Sequence, residues 1–170
     1  MFGLIRSRSD PNPSMSKNTY QYPFVVSVIN RFVASLPEAK NLEWTSITIN
    51  HGWPSSRHRD RNNVGTSIIF SVGRHRGGKL RTWPHDTCDR PTDELPTQGS
   101  VLIDPHRKPT IFDGTQCHET SPFTGERVNI ICFKSRWTHR IGTNIEQALL
   151  EYLFCPKRNH AFVGARDPKC

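Results

Sequence analysis

Apolar residues recur at helical spacing in two stretches of this chain. Between positions 24 and 36 they form one stripe, which comprises Val25, Val28, Ile29, Phe32, Val33 and Leu36. This period predicts an amphipathic helix that packs one face against a sheet. A second helix is predicted from Thr143 to Leu153, where Leu149, Leu150 and Leu153 supply the apolar face. Helices are therefore expected on the N-terminal and C-terminal sides of the intervening region.

The region between the two helices has the two-residue alternation and the β-branched content of strands. Such segments occur at 44–50, 66–72, 79–83, 98–104, 110–112 and 127–133. The pair 66–72 and 79–83 is expected to join across Gly77 and Gly78, and residues 84–97 have the Pro, Asp and Thr content of a long loop. With about seven or eight short strands, the pattern predicts a mainly β fold of the jelly-roll type.

The ends of the chain differ in composition from this region. Residues 1–20 are rich in Ser, Asn, Pro and Arg and are predicted to be a flexible basic arm. Residues 21–155 are expected to form a single domain, and 156–170 a C-terminal tail. No apolar run reaches the length of a membrane span, and the first residues become charged too early for a secretory signal. We therefore expect an intracellular protein, cytoplasmic or nuclear, with no membrane partner.

One set of side chains indicates a specific chemistry, namely His58, Asp60 and His118. In a strand, residues two apart point to the same face, so His58 and Asp60 can offer a nitrogen and an oxygen to one point. Residues 122–125 resemble a tight turn, which is expected to return His118 beside the strand that begins at Arg127. Two histidines and one carboxylate leave coordination positions open, as in non-haem iron oxygenases. A structural zinc site normally has a fourth protein ligand, and none is evident here.

Arg127 precedes the apolar run of residues 128–133 and is therefore expected to be buried. A buried guanidinium is very costly without an anionic partner. The distal carboxylate of 2-oxoglutarate can supply that partner through a bidentate pair of hydrogen bonds.

Three motifs together carry a family resemblance: HRDRNNVGTS at 58–67, GGKL at 77–80 and FDGTQCHETSPFTGERV at 112–128. They resemble the 2-oxoglutarate- and Fe(II)-dependent dioxygenases, and most of all the branch of the TET and base-J-binding-protein nucleic-acid oxygenases with its small algal and protist relatives. The resemblance covers roughly residues 42–135.

The resemblance implies a double-stranded β-helix that holds Fe(II) through His58, Asp60 and His118. It also implies 2-oxoglutarate bound by Arg127, dioxygen as the other co-substrate, and ascorbate as an accessory reductant. Asn129 occupies the position at which several relatives carry a serine that touches the co-substrate. Asn129 is therefore a second expected co-substrate residue, with a side chain that departs from the family pattern.

The charge of the chain indicates the class of substrate. A net charge of +8 and a pI near 9.6 favour polyanionic partners, DNA or RNA. Arginines flank the ligand pair at 57, 59 and 61, although strand phase turns them away from the ligands, and basic residues crowd positions 74–81. Trp53 and Trp83 are the aromatic residues considered for stacking on an unpaired base.

The predicted function is therefore oxidation of a substrate C–H bond, with 5-methylcytosine or thymine in nucleic acid as the leading substrate. The alternatives are a prolyl-type hydroxylase of protein side chains, a non-catalytic jelly-roll module that binds nucleic acid, and a zinc hydrolase that uses the same three ligands.

Overall fold

The structure, a computed structural model, describes residues 1–7 and 10–156. Its largest element is a six-stranded antiparallel sheet with the strand order β2-β1-β3-β11-β4-β8. These strands are β1 (Phe2–Arg6), β2 (Pro13–Met15), β3 (Ser46–His51), β4 (Asn63–Val72), β8 (Thr110–Asp113) and β11 (Val128–Ser135).

Two smaller antiparallel sheets complete the β structure. In one, β6 (Leu80–Thr82) lies between β7 (Val101–Ile103) and β9 (His118–Thr120). In the other, β5 (His75–Gly77) pairs with β10 (Phe123–Gly125). The expected hairpin across Gly77 and Gly78 is therefore wrong, because the strands on either side of these glycines belong to different sheets.

The two faces of the main sheet carry different apolar clusters, because side chains alternate along each strand. On one face, Ile68, Phe70 and Cys132 join the core formed with the helices α2 (Pro23–Ala34) and α3 (Thr143–Glu151). On the other face, Ile69 and Phe112 pack with Leu80 of β6, so the three-stranded sheet covers this side. The helix α1 (Lys17–Gln21) precedes α2.

This arrangement confirms the predicted fold class, a mainly β jelly roll with flanking helices at the N- and C-terminal sides. None of the helices among the described residues is long and apolar enough to cross a membrane.

The prediction of a flexible arm over residues 1–20 is wrong for most of that segment. Strand β1 lies inside the main sheet between β2 and β3. Phe2 and Leu4 are only 8% and 1% exposed, because their alternation places both in the core. Two apolar positions are too short a pattern to outweigh the polar composition of the residues that follow. Of the predicted tail, 157–170 lies outside the described residues.

Candidate metal centre and co-substrate pocket

The structure brings His58, Asp60 and His118 together, with one ligand atom from each lying within 4.8 Å of the others. Nε2 of His58 is 3.4 Å from Oδ1 of Asp60, and Nε2 of His118 is 3.8 Å from Oδ2 of the same carboxylate. His118 is buried, whereas the other two side chains are about a third exposed. The cluster thus offers two imidazoles and one carboxylate to a common point that a small molecule can reach.

Backbone pairing between two distant segments holds this cluster together. The N–H of His58 donates to the carbonyl of His118 at 3.0 Å, and the N–H of His118 donates to the carbonyl of His58 at 2.9 Å. The N–H of Asp60 donates to the carbonyl of Gly114 at 2.8 Å. Each ligand is therefore fixed through its own backbone.

His118 does not lie beside the strand that begins at Arg127, contrary to expectation. Its strand, β9, pairs with β6, whereas β11 pairs with β3 and β4. The expected turn at 122–125 instead contains strand β10, which pairs with β5. The three ligands converge because His118 bridges directly to His58.

Hydrogen bonds on the far side of each imidazole orient the ring. Nδ1 of His58 lies 2.6 Å from the carbonyl oxygen of Ser56, and Nδ1 of His118 lies 2.9 Å from that of Gln116. A carbonyl oxygen only accepts, so the neutral ring that fits carries its proton on Nδ1 and leaves a lone pair on Nε2. That lone pair is the one directed toward Asp60. Asn63 donates to Oδ2 of Asp60 at 2.9 Å, which fixes the carboxylate as well.

The pKa values of the two histidines are shifted in opposite directions. The hydrogen bond to Asp60 raises the pKa of His58, although partial burial opposes this shift. Burial lowers the pKa of His118, which favours the neutral ring that metals bind. A metal cation held by these side chains would replace the His58 proton as the positive charge beside Asp60.

Arg127 is a buried cation, and two of its three guanidinium nitrogens lack a hydrogen-bond partner among the described residues. The side chain is 1% exposed, and its Nε and Nη2 atoms have no hydrogen bond within the described residues. Its contacts include the ring of Phe123 at 5.2 Å and the backbone of Gly78. Burial lowers the pKa of Arg127, and the carboxylate of Asp104 partly offsets this effect.

Asn129 lies two residues further along the chain, in β11, which begins at Val128. It is 3% exposed, and its Oδ1 is also buried without a hydrogen bond in the described part of the chain. The two residues expected to bind the co-substrate thus both carry buried polar atoms that a ligand could satisfy.

A cavity of about 510 Å³ lies against the three-residue cluster and Asn129, whereas Arg127 is not among its lining residues. His58, Asp60, His118 and Asn129 line it, together with the apolar side chains Ile69, Leu80, Phe112 and Ile131. Its size lies within the range of about 300–1,000 Å³ that is usual for ligand-binding cavities. The cavity also extends to Arg6, Arg61 and Trp137, which sequence reasoning had not connected with the site.

The arginines beside the ligand pair have different roles. Arg57 forms an ion pair with Glu119, and Arg59 forms one with Asp86. Arg57 is not among the cavity-lining residues, as strand phase predicts. Arg59 and Arg61 both line the cavity. Arg61 lies in the turn after Asp60, where strand phase no longer applies.

The tryptophan that lines the cavity is neither of the two that the sequence suggested. Trp83 is buried and donates a hydrogen bond to the carbonyl of Pro96, and Trp53 is exposed but does not line the cavity. Trp137 does line it. The signal for Trp137 was the RWTHR segment at 136–140, in which basic residues surround one tryptophan.

Of the three comparisons with known proteins, the one with solved structures found a similar fold. No protein-family model matches the chain, and no curated protein sequence matches it. Among solved structures, the chain is similar to that of NgTET1 in complex with 5mC DNA, with a TM-score of 0.50 and 17% sequence identity. The match covers 80% of this chain and 60% of that one, so the chain corresponds to only part of its neighbour. At this identity the likeness shows a shared fold.

Proposed function

We propose that this protein is an Fe(II)- and 2-oxoglutarate-dependent dioxygenase. The observation that carries the proposal is the pairing of two features in one fold. A cluster of two histidines and one aspartate faces a cavity, and a buried arginine with unpaired nitrogens directly precedes β11, whose residues Asn129 and Ile131 line the same cavity.

The donor set fits ferrous iron. Two imidazole nitrogens and one carboxylate oxygen are the ligands of the facial triad, in which the remaining positions stay open for small molecules. Within the described residues the cluster has three members, whereas a structural zinc site normally has four protein ligands. His58, Asp60 and His118 would hold the metal, and the Nδ1 contacts to Ser56 and Gln116 would keep both rings aimed at it.

The surroundings of Arg127 fit the distal carboxylate of 2-oxoglutarate. An unpaired guanidinium buried to this degree costs several kcal/mol, on the order that one partner carboxylate can offset. A carboxylate can accept from two guanidinium nitrogens at once. Asn129 would contribute an amide next to the same ligand. The apolar side chains of Ile131, Leu80 and Phe112 would keep water away from it.

Bound iron and 2-oxoglutarate supply the oxidant for hydroxylation of a C–H bond. In the overall reaction, 2-oxoglutarate, dioxygen and the substrate R–H give succinate, carbon dioxide and R–OH. One oxygen atom enters succinate and the other enters the product.

We further propose that the substrate is a methylated base, 5-methylcytosine or thymine, in DNA or RNA. The net charge of +8 supports a polyanionic partner. The neighbour NgTET1 was solved with 5mC DNA, which makes this base the first one to test. Hydroxylation of a protein side chain is the competing outcome.

The test is anaerobic reconstitution with Fe(II) and 2-oxoglutarate, followed by visible absorption spectroscopy for the weak metal-to-ligand charge-transfer band of the chelate. Wild type and a His85→Ala control, whose imidazole is exposed and outside the cluster, should both show the band. His58→Ala should lose it. Arg127→Gln should need a much higher 2-oxoglutarate concentration, because only the distal contact is removed.

Oxygen is then admitted, and succinate is measured with oligonucleotides that carry 5-methylcytosine and with proline-containing peptides. Substrate-stimulated succinate that depends on oxygen would support the oxygenase and identify the substrate class. Stoichiometric iron binding without the band would contradict the proposed use of 2-oxoglutarate. Hydrolytic activity with zinc and without oxygen would favour a hydrolase instead.

A further inference from the structure

Trp137 lies at the centre of a cluster of arginines. The guanidinium carbon of Arg6 is 4.1 Å from the centroid of its ring, and those of Arg140 and Arg136 are at 5.1 and 5.5 Å. Arg6 comes from β1, whereas Trp137 lies in the 3₁₀ segment Arg136–Arg140 that follows β11. Cation–π contacts of this kind hold a guanidinium plane at a fixed place.

The cluster shares a cavity with the proposed metal ligands. Arg6 and Trp137 line the same cavity as the three proposed metal ligands. Arg61, the next residue in the chain after Asp60, lines it too. Arg136 donates a hydrogen bond to the carbonyl of Arg61 at 3.2 Å. This bond connects the turn after Asp60 to the 3₁₀ segment that contains Trp137. A molecule that reaches the metal ligands through this cavity therefore passes beside arginines.

The charges of Arg6 and Arg61 have no ion-pair partner among the described residues. Arg57, Arg59 and Arg81 are different, because Glu119 and Asp86 neutralise them. The acidic residue that lines the cavity is Asp60, and the proposed metal would neutralise its carboxylate. Arginines that line one cavity without a counter-charge attract an anion into it.

We infer that Arg6 and Arg61 bind a phosphate of the substrate, and that Trp137 is a positioning residue that holds Arg6. This inference rests on the proposed function, because it assigns the substrate of that site to nucleotides and disfavours neutral peptides. Phosphate contacts fix the register of a nucleic acid, while the chemistry takes place on the base. The same contacts could come from a polynucleotide or from a free nucleotide.

The chain offers a matched control for this inference. Arg74 and Arg76 are exposed, have no ion pair among the described residues, and line a different cavity beside β5 and β10. The double substitutions R6Q/R61Q and R74Q/R76Q remove the same charge. A difference between the two variants therefore reports position and not net charge.

The experiment measures fluorescence anisotropy of a labelled single-stranded oligonucleotide that contains 5-methylcytosine, in EDTA and at several salt concentrations. We expect R6Q/R61Q to bind at least tenfold more weakly than wild type and to reduce the slope of log K against log salt by about 0.7, which is the contribution of one neutralised phosphate of a single strand. R74Q/R76Q should change the affinity less than twofold. Trp137→Phe should weaken binding less than R6Q/R61Q does, and Trp137→Leu more than Trp137→Phe.

Equal losses in the two double variants, or no loss in R6Q/R61Q, would overturn the inference. Displacement of the oligonucleotide by poly-glutamate of the same charge would also overturn it. Displacement by 5-methylcytidine monophosphate at a concentration close to the oligonucleotide Kd would support a nucleotide site and identify the free nucleotide as its ligand. The charge-transfer band, measured in parallel, reports the proposed function separately, because R6Q/R61Q should leave it unchanged.

Discussion

Arg59 and Asp86 form a buried bidentate ion pair behind the proposed metal centre. Nε and Nη2 of Arg59 each donate to one carboxylate oxygen of Asp86 at 2.6 Å, and the Asp86 side chain is fully buried. Asp86 also accepts a hydrogen bond from the N–H of Cys117 at 2.8 Å. Arg59 lies between His58 and Asp60 in the chain, and Cys117 precedes His118. One carboxylate therefore links both segments that carry the ligands.

Replacing Asp86 with Asn should destabilise the protein and loosen the ligand cluster. The substitution leaves the Arg59 charge buried without a counter-charge, and breaking a buried pair in this way costs about 3–5 kcal/mol. We expect a loss of this size in the free energy of unfolding, measured by urea denaturation. Metal affinity should fall as well, because the two ligand segments lose their shared anchor.

Asp89→Asn is the matched control, since Asp89 is exposed three residues further along. It should change the free energy of unfolding by less than about 0.5 kcal/mol, as is usual for surface substitutions. Equal effects of the two substitutions would contradict the special role of Asp86.

The same ion pair predicts how stability depends on pH. The hydrogen bonds from Arg59 lower the pKa of Asp86, and the N–H groups of Cys88 and Cys117 add to this effect against the opposing influence of burial. The unfolded chain has the ordinary aspartate pKa of about 3.9. The charged form therefore stabilises the fold above about pH 4, and this contribution is lost as the pH falls through the lower folded value. Urea unfolding of metal-free protein between about pH 6 and 2.5 should show a shallower acid limb in Asp86→Asn than in wild type.

Metal binding should stabilise the fold through the cluster alone. A ligand that binds only the native state adds about 2.7 kcal/mol at 100 times its Kd. For a domain of this size, each kcal/mol raises Tm by about 2–4 °C. We expect Mn(II), used as an air-stable probe, to raise the Tm of wild type and of His85→Ala. His118→Ala should show no such rise, and an equal rise in that variant would place the ion elsewhere.

The sequence predicted that His58, Asp60 and His118 come together, but not the way in which they meet. The types of His58, Asp60 and His118 and the need of Arg127 for an anion are local properties, and the structure brings the first three residues together at one cavity. The pairing of His58 with His118 is a contact between residues 60 positions apart. No local pattern fixes such a partner, so the expected route through residues 122–125 was wrong.

Elements with a long periodic pattern were also predicted well. The predicted helix at 24–36 matches α2, and the strands at 66–72 and 127–133 match β4 and β11 closely. The strands β5, β9 and β10 have three residues each, which is too few for alternation to show. Arg6 and Trp137 were missed for a related reason, because the end of β1 and the segment after β11 meet only in the folded chain.

Gly78 offers a test of the co-substrate pocket that leaves all proposed ligands in place. A Cβ at this position would lie 2.6 Å from Nε and 2.7 Å from Cδ of Arg127. Gly78→Ala should therefore displace the guanidinium and weaken 2-oxoglutarate binding at least tenfold, measured by titration of the charge-transfer band. Iron binding should change little, because Gly78 does not belong to the ligand cluster.

Gly99→Ala separates this contact from backbone strain. Gly99 has a φ of +81°, close to the +72° of Gly78, but a Cβ there would meet nothing within 4 Å. Both substitutions incur the cost of a left-handed alanine, about 1–2 kcal/mol. Only Gly78→Ala adds a clash with Arg127. If both variants bound 2-oxoglutarate like wild type, Arg127 would not be the anchor of the co-substrate, whereas a loss confined to Gly78→Ala would place the carboxylate beside this arginine.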